Sequence, residues 1–153
     1  MHGVTGAGVA VRHVGIVVVD LDRALRFYRD LLGLGVVREM DEGGEYLARL
    51  MNLPGASART VKLAAPGGGM VELLRFTSHP GAVGPEPSAA APGCSHVAFT
   101  VPDLEALHER LAAAGVRFHA PPQTSPDGGA RVAYCRDPEG TIVELVEILS
   151  RPG

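Results

Sequence analysis

Apolar and polar positions along residues 12–22, RHVGIVVVDLD, follow the alternating pattern of a β-strand. Side chains of a strand alternate between its two faces, so one face is purely aliphatic and carries Val14, Ile16 and Val18. The opposite face carries His13, Gly15 and Val17. The pattern predicts a first strand over residues 11–19, with an imidazole near its beginning that packing alone does not explain.

The same pattern returns later in the chain, which indicates an internal repeat. His96 in SHVAFTVPDLE follows His13 by 83 residues, and an aspartate stands seven residues after each histidine. The ends of the two copies also match, because GGMVELLRF around Glu72 resembles GTIVELVEI around Glu144. Each copy therefore begins with a strand headed by histidine and ends with a strand that carries Val-Glu-Leu.

Each copy is predicted to fold as β-α-β-β-β. In the first copy, Asp22 is the expected N-cap of a helix, and Gly33 is expected to end that helix. The inward face of the helix carries Leu25, Tyr28 and Leu32. The later strands of this copy are expected at residues 34–40, 59–64 and 70–76.

The second copy follows the same order. Its first strand is expected at residues 95–101 and its helix at 103–114. The helix would turn one apolar face inward, formed by Leu104, Leu107, Leu111 and Ala114. The later strands are expected at residues 116–119, 130–136 and 141–149.

The two copies differ in length. From histidine to glutamate the first copy takes 59 residues and the second takes 48, and the extra residues fall in EYLARLMNLPGA. This segment has helical spacing and predicts a short inserted helix within 43–53. We expect module 1 at 11–76 and module 2 at 94–149, after a flexible segment at 1–10. The linker 77–93 is rich in Pro, Gly and Ala and needs no fixed structure.

Composition narrows the functional classes. The chain has 153 residues and a net charge of −3, which does not indicate a nucleic-acid surface. Its apolar runs are too short to span a membrane, and its beginning lacks the pattern of a signal peptide. Two cysteines, Cys94 and Cys135, cannot build a disulfide framework. We therefore expect a cytoplasmic protein with a small-molecule substrate and no nucleic-acid or membrane partner.

The candidate chemistry lies in the repeated histidine and glutamate. A single histidine on an apolar strand is usually a hydrogen-bonded core residue, and a single glutamate can point to solvent. Duplication changes this interpretation, because the two copies supply His13, Glu72, His96 and Glu144 at matched positions. If the modules pair face to face, two imidazoles and two carboxylates converge and can neutralise a divalent cation.

These motifs resemble the vicinal oxygen chelate superfamily, which includes glyoxalase I, methylmalonyl-CoA epimerase, extradiol dioxygenases and fosfomycin-inactivating transferases. The resemblance extends over residues 13–147 and is carried by HVGIVVVDLDRALRFYRDLLG, GGMVELLRF, SHVAFTVPDLE and YCRDPEGTIVELVE. It implies an α+β fold in which two βαβββ modules pair into an open, cupped β-barrel around one metal. It also implies that the metal ligands are His13, Glu72, His96 and Glu144.

A fourth ligand at Glu72 resembles glyoxalase I and the epimerases, whereas dioxygenases and fosfomycin transferases use two histidines and one glutamate. The resemblance therefore favours a metal-dependent isomerase or lyase that moves a proton next to a carbonyl through a metal-stabilised enolate. Glu144 or Glu72 would be the base, with Glu45 as another candidate. The ion could be Ni, Co, Mn, Fe or Zn. The alternatives are an Fe(II) extradiol-type dioxygenase and a metal-free binding or resistance protein.

The predicted pocket is mostly apolar and suits a small oxygenated metabolite. We see no basic cluster of the kind that binds coenzyme A or glutathione. A homodimer is expected because open sheet edges need cover, and the modules can pair within one chain or across the dimer. The pocket residues are expected to be Val17, Tyr46, Met51, Met70, Leu74, Thr100, His119 and Tyr134, with Ala98, Ile142 and Val146 beside them.

Overall fold

The structure is a computed structural model that describes residues 8–149. Most of the predicted flexible segment 1–10 lies outside this range. Module 1 consists of β1 (Val14–Val17), α1 (Leu21–Leu25), a π-helical segment (Arg26–Leu31), β2 (Gly35–Glu42), α2 (Gly44–Met51), β3 (Ala58–Ala64) and β4 (Met70–Phe76). Module 2 consists of β5 (His96–Thr100), α3 (Leu104–Ala113), β6 (Arg117–Phe118), β7 (Gln123–Thr124), β8 (Ala130–Arg136) and β9 (Ile142–Ile148).

Each module forms its own sheet, and the two sheets have the same topology. The strand order is β1-β4-β3-β2 in the first sheet and β5-β9-β8-β6 in the second, where β7 also pairs with β8. The first strand of each module runs parallel to the last, and the remaining neighbours are antiparallel. The α+β prediction is thus confirmed, although the described strands form two separate sheets and no closed barrel.

The first strand is shorter than predicted. It pairs with β4 only from Val14 to Val17, whereas the pattern predicted residues 11–19. The side chains of Val11 and Arg12 are exposed, and the amide of Val19 donates to the Glu139 carboxylate rather than to a strand. The prediction was too long because the alternating pattern depends on apolar side chains, whereas the bounds of a strand depend on backbone hydrogen bonds. His13 therefore stands immediately before β1.

The beginning of the first helix also differs from the prediction. Asp20, not Asp22, is the N-cap, and its carboxylate accepts a hydrogen bond from the amide of Arg23 at 3.0 Å. The helix then widens into the π-helical segment, where the amide of Leu32 donates to the carbonyl of Phe27. This widening places Phe27 in the core beside Tyr28, and both are fully buried.

One hydrophobic core extends through both modules, on the side of each sheet that carries its helix. The aliphatic face predicted for β1 contributes Ile16, and the last strands contribute Leu73 and Leu145. The predicted inward face of α3 is confirmed at Leu104, Leu107 and Leu111, whereas Ala114 follows the helix and is exposed. The opposite face of each sheet is therefore left for a site.

The turn before β9 ties module 2 to module 1. The hydroxyl of Tyr28 donates to Asp137 Oδ2 at 2.7 Å, and Asp137 is 2% exposed. Asp137 Oδ1 accepts from the amides of Glu139 and Thr141, which closes the turn. The Glu139 carboxylate accepts from the amides of Val19 and Asp20. The turn at residues 137–140 therefore links the two modules.

The linker has contacts that its composition did not predict. Its Glu86 pairs with Arg117 of β6, and the carbonyl of Pro87 accepts from Arg136 of β8 at 2.9 Å. The short strand β7 was not predicted either, since two residues are too few to give a periodic signal. Within residues 8–149, no helix has the length and apolar character needed to cross a membrane.

Candidate metal centre

Module 1 brings His13 and Glu72 together on the face of its sheet away from the core. Gly15 of β1 stands opposite Glu72 of β4, and its missing side chain leaves that face open. His13 Nε2 lies 3.8 Å from Glu72 Oε1, and the two side chains are 29% and 13% exposed. His13 Nδ1 is buried and has no hydrogen-bond partner among the described residues, which is unusual for a histidine that serves only packing.

Lys62 also contacts Glu72, and the sequence reasoning missed it. The two residues stand directly opposite each other on β3 and β4, and Lys62 Nζ lies 3.5 Å from Glu72 Oε2. The Lys62 side chain is 24% exposed, so this pair is partly shielded from water. The carboxylate of Glu72 thus already has a cationic partner. Lys62 lies in ARTVKLA with ordinary strand alternation, and only the register between β3 and β4 could have placed it here.

Module 2 brings His96 and Glu144 together in a closer arrangement. His96 Nε2 lies 3.0 Å from Glu144 Oε2, and the other ring nitrogen shares a 2.7 Å hydrogen bond with the Ser95 hydroxyl. A partner on the second nitrogen fixes the orientation of an imidazole, as it does for histidines that bind metals. The ring of Tyr134 lies edge-on to His96, with centroids 5.4 Å apart.

Tyr134 lies between the second pair, His96 with Glu144, and the ring of His119. It stands opposite Glu144 across β8 and β9. Burial, followed by the charge of the Glu144 carboxylate and a hydrogen bond to it, raises the pKa of Tyr134. His119 stacks on Tyr134 with centroids 6.1 Å apart, and its ring accepts a hydrogen bond from Arg136. The predicted pocket residues Tyr134 and His119 therefore lie beside the second pair.

The four predicted ligands remain in two pairs. Across residues 8–149, no group of three or more His, Cys, Asp or Glu side chains is close enough to hold one ion. We call His13 with Glu72 half-site one and His96 with Glu144 half-site two. A single chain thus presents two donors at each half-site.

The donor geometry of the half-sites fits a divalent ion. Two nitrogen or oxygen donors bound at about 2.1 Å lie about 3.0 to 3.4 Å apart when they are neighbours in an octahedral or tetrahedral shell. Half-site two, at 3.0 Å, already has this spacing, and half-site one, at 3.8 Å, is slightly wider. Imidazole nitrogen with carboxylate oxygen is a donor set that suits the first-row metals.

The predicted pocket residues on the strands divide between the two sheets. Val17, Met70 and Leu74 lie on the same face of the first sheet as Glu72. Val17 is 64% exposed, whereas Leu74 is buried against Gly15. Thr100 shares a face of the second sheet with Glu144, as do Ala98, Ile142 and Val146.

The predicted inserted segment is a helix that covers one end of the first face. Leu47 of α2 is buried in a small cluster with Ala58, against which Phe76 packs. Tyr46 and Met51 point outward and are 74% and 39% exposed. Glu45, considered as a possible base, is also exposed and pairs with Arg49 on the same helix. The predicted pocket residues Tyr46 and Met51 therefore flank the face of half-site one and do not enter it.

Two arginines near half-site two were also missed. Arg136 and Arg117 stand opposite each other on β8 and β6, on the face that carries His96. The sequence showed no basic cluster because the two residues are separated along the chain. Their proximity follows only from the strand register.

Comparison with known proteins agrees with this architecture. Residues 10–145 match the family described as the Glyoxalase/Bleomycin resistance protein/Dioxygenase superfamily. The chain is 33% identical over 154 residues to a 2-epi-5-epi-valiolone epimerase from Actinomyces sp., covering 96% of this chain and 83% of that protein. It is 26% identical over 140 residues to a probable lactoylglutathione lyase from Synechocystis sp., covering 91% of this chain and 95% of that one.

Among solved structures, a glyoxalase family protein from Bacillus cereus has a TM-score of 0.85 and 26% identity, covering 97% of this chain and 99% of its own. The two βαβββ sheets and the family match lead to one conclusion. The chain belongs to the Glyoxalase/Bleomycin resistance protein/Dioxygenase superfamily, whose relatives named here are an epimerase and a lyase.

Proposed function

We propose that the protein is a metal-dependent epimerase or glyoxalase-like lyase that transfers a proton at a carbon next to a carbonyl. The observation that carries this proposal is the matched pair of half-sites, each with one imidazole and one carboxylate at equivalent strand positions. The substrate is a small oxygenated metabolite. The relatives named as an epimerase and a lactoylglutathione lyase support the reaction class.

The complete site needs two copies of the chain. Each half-site supplies two donors, and no described group of one chain supplies three. Both half-sites lie on sheet faces turned away from the shared core, and Val17 on the first of these faces is 64% exposed. We infer a homodimer in which His13 and Glu72 of one copy meet His96 and Glu144 of the other.

The residues of the two half-sites have distinct roles in the proposed reaction. A divalent ion held by them would polarise the substrate carbonyl and stabilise the negative charge left when the neighbouring carbon loses its proton. Glu144 is the proposed proton acceptor, because Glu72 is occupied by Lys62. Ser95 holds His96 in its orientation, and Tyr134 covers the Glu144 side of the site.

Metal analysis combined with solvent deuterium exchange tests this proposal. Protein loaded with each candidate divalent ion is incubated in D₂O with 2-epi-5-epi-valiolone or S-lactoylglutathione, and the C–H signal next to the carbonyl is followed by NMR. We expect exchange that a chelator abolishes and that Glu144→Gln slows by about 10²- to 10⁴-fold, the usual range for a general base. Glu109→Gln, on the exposed surface of α3, is the control and should exchange like the wild-type protein.

Exchange at the wild-type rate in the absence of metal, or in Glu144→Gln, would overturn the proposed mechanism. Oxygen uptake with a catechol by Fe(II)-loaded protein would indicate the dioxygenase alternative instead. The Lys62–Glu72 pair favours a second candidate, a metal-free binding protein of the same fold, because the lysine already neutralises one carboxylate. Ligand binding without turnover, unchanged by metal, would support that candidate.

A further inference from the structure

A second cluster of charged side chains lies on the same sheet face as half-site two. One row of cross-strand neighbours runs from His96 through Ile142 and Arg136 to Arg117. The next row holds Ala98, Glu144 and Tyr134. The two arginines therefore continue the face that carries the proposed metal donors.

Arg136 is held firmly in place by neutral acceptors. Its side chain is 11% exposed, and Nη1 donates to the carbonyls of Pro87 and Gly140, each at 2.9 Å. Its Nε donates to the ring of His119 at 3.0 Å. Carbonyls and a neutral imidazole orient a guanidinium without cancelling its charge. A cation with so little exposure to water needs an anion close by.

The anion within reach is Glu86 of the linker. Both of its carboxylate oxygens accept from Arg117, and Oε2 lies 4.0 Å from Arg136 Nε. Within the described part of the chain, no other carboxylate oxygen comes within 4.0 Å of the Arg136 guanidinium. The hydrogen bond from Arg117 is the main cause that lowers the pKa of Glu86.

The linker carboxylate sits in a space that the fold leaves open. A Cβ atom added to Gly140 would come within 2.8 Å of Glu86 Cγ, so only glycine allows this close approach. Glu86 lies in a segment without helix or strand, and its side chain is 39% exposed. An acid on such a segment can leave the arginines without disturbing either sheet.

We propose that Arg117 and Arg136 form a binding site for an oxyanion group of a ligand, a carboxylate or a phosphate, and that Glu86 occupies this site when the ligand is absent. Arg117 already binds one carboxylate through two hydrogen bonds, with the Arg136 guanidinium 4.0 Å from the same group, so the two cations can bind another oxyanion in its place. A ligand that binds here displaces the side chain of Glu86, while the Pro87 carbonyl remains on Arg136.

The location of the cluster suggests which ligand it serves. Two strand spacings separate Arg136 from His96, a distance of about 10 Å. The rings of Tyr134 and His119 bridge this distance along the sheet face. The site therefore fits a substrate with an oxygenated reacting end at the metal and an anionic group at the arginines. This part of the inference rests on the proposed function, whereas anion binding itself does not.

Calorimetric titration of the full chain with inorganic phosphate, and separately with acetate, tests the proposal at low ionic strength. Glu86→Gln keeps the size of the side chain but removes the competing charge, so we expect binding about two- to fivefold tighter than in the wild-type protein. Adding Arg136→Gln to that variant should weaken binding by about tenfold or more, because it removes a charge-assisted partner. The anion that gains more from Glu86→Gln identifies the preferred ligand group.

The control variant is Glu39→Gln, which removes one of the two carboxylate partners of Arg59 on the first sheet and should leave anion affinity unchanged. Equal affinity in Glu86→Gln and the wild-type protein would overturn the proposal. Retention of that affinity after Arg136→Gln would also overturn it.

The same samples separate this proposal from the proposed function. If phosphate or acetate binds as expected but the protein shows no metal-dependent exchange, the anion-site proposal is supported and the proposed function is contradicted. If exchange is observed but Glu86→Gln does not change anion affinity, the proposed function is supported and the anion-site proposal is contradicted.

Discussion

The two half-sites have the same donors but different surroundings. In half-site two, His96 and Glu144 are 3.0 Å apart, and Ser95 fixes the imidazole. In half-site one, His13 and Glu72 are 3.8 Å apart, and Lys62 pairs with the carboxylate. Duplication has thus kept the positions of the donors, while the neighbours have diverged. We conclude that half-site two is the better-organised half of the proposed centre.

The turns that precede the equivalent last strands, β4 and β9, also differ. Module 2 again has contacts that module 1 lacks. In module 2 the turn reads DPEG and supplies Asp137 and Glu139, which hold Tyr28 and the amides that follow β1. In module 1 the turn reads APGG, with Ala65 and Gly67 at the equivalent positions. These residues have no carboxylates, so the turn of module 1 cannot make the reciprocal contacts. The carboxylate contacts between the modules are therefore made by one turn only, in addition to the shared hydrophobic core.

The largest expected effect is a loss of metal affinity that differs between the carboxylates of the two half-sites. Glu144→Gln should weaken metal binding by more than about 100-fold, since loss of an outer partner alone typically costs 10- to 100-fold. Glu72→Gln should cost about tenfold, because Lys62 already competes for that carboxylate. Isothermal titration with each candidate ion measures both constants. An equal or larger loss in Glu72→Gln would contradict the ranking of the half-sites.

The next effect tests the link between the modules. Tyr28→Phe removes the hydrogen bond to the buried Asp137 carboxylate and should lower the free energy of unfolding by about 1.5 to 3 kcal/mol. Urea denaturation measures the loss. Tyr46→Phe is the matched control, because the Tyr46 side chain is largely exposed, and its stability should not change. A similar loss in both variants would show that the Asp137 contact is not responsible.

Alkaline pH distinguishes equivalent core positions on β3 and β8. Leu63 and Cys135 occupy matching places and both are fully buried, but only the cysteine titrates. Burial, followed by the charge of Asp137, raises the pKa of Cys135 to about 12. The folded chain therefore keeps a proton that the unfolded chain releases. This contribution to stability is complete below about pH 9 and is lost as the pH rises toward 12, by up to about 1.4 kcal/mol per pH unit.

The variant Cys135→Val removes this titrating group and should flatten the fall in stability between pH 9 and 12. Urea denaturation at several pH values measures the slope for each protein. Cys94→Val is the control, because Cys94 is exposed and its removal should leave the slope unchanged. Identical slopes in the Cys135→Val and wild-type proteins would refute the assignment.

The smallest effect tests whether Lys62 weakens half-site one. Lys62→Met removes the competing charge and should tighten metal binding by about two- to fivefold, the scale of a partly exposed ion pair. Lys62→Arg keeps the charge and should bind metal as the wild-type protein does. Weaker metal binding in Lys62→Met would show that the lysine supports the centre rather than competing with it.

Much of the fold could be predicted from the sequence, because the repeat and the apolar periodicity are local signals. The strand at residues 70–76 and the strand at 130–136 have the predicted bounds, and the inserted helix lies within its predicted segment. The N-cap was predicted at Asp22 but is Asp20, because both aspartates lie near the beginning of the same helix. Local patterns therefore located the elements better than their ends.

The surroundings of the half-sites could not be predicted in the same way. Lys62, Arg117 and Arg136 reach the sheet faces through cross-strand pairing, and one sequence does not specify which residues of distant strands stand opposite each other. The contact of Tyr28 with Asp137 spans 109 residues and has no local signature. The repeat identified the donors, but the groups that tune them required the three-dimensional structure.

The central proposal is that two copies of the chain complete one metal site, and a mixing experiment tests it directly. One variant lacks half-site one (His13→Gln with Glu72→Gln), and the other lacks half-site two (His96→Gln with Glu144→Gln). After random exchange of subunits in an equal mixture, half of the dimers are mixed, and each mixed dimer has one intact site of two. The mixture should therefore recover about a quarter of the wild-type tight metal binding. Metal binding no greater than the average of the two separate variants would contradict the account.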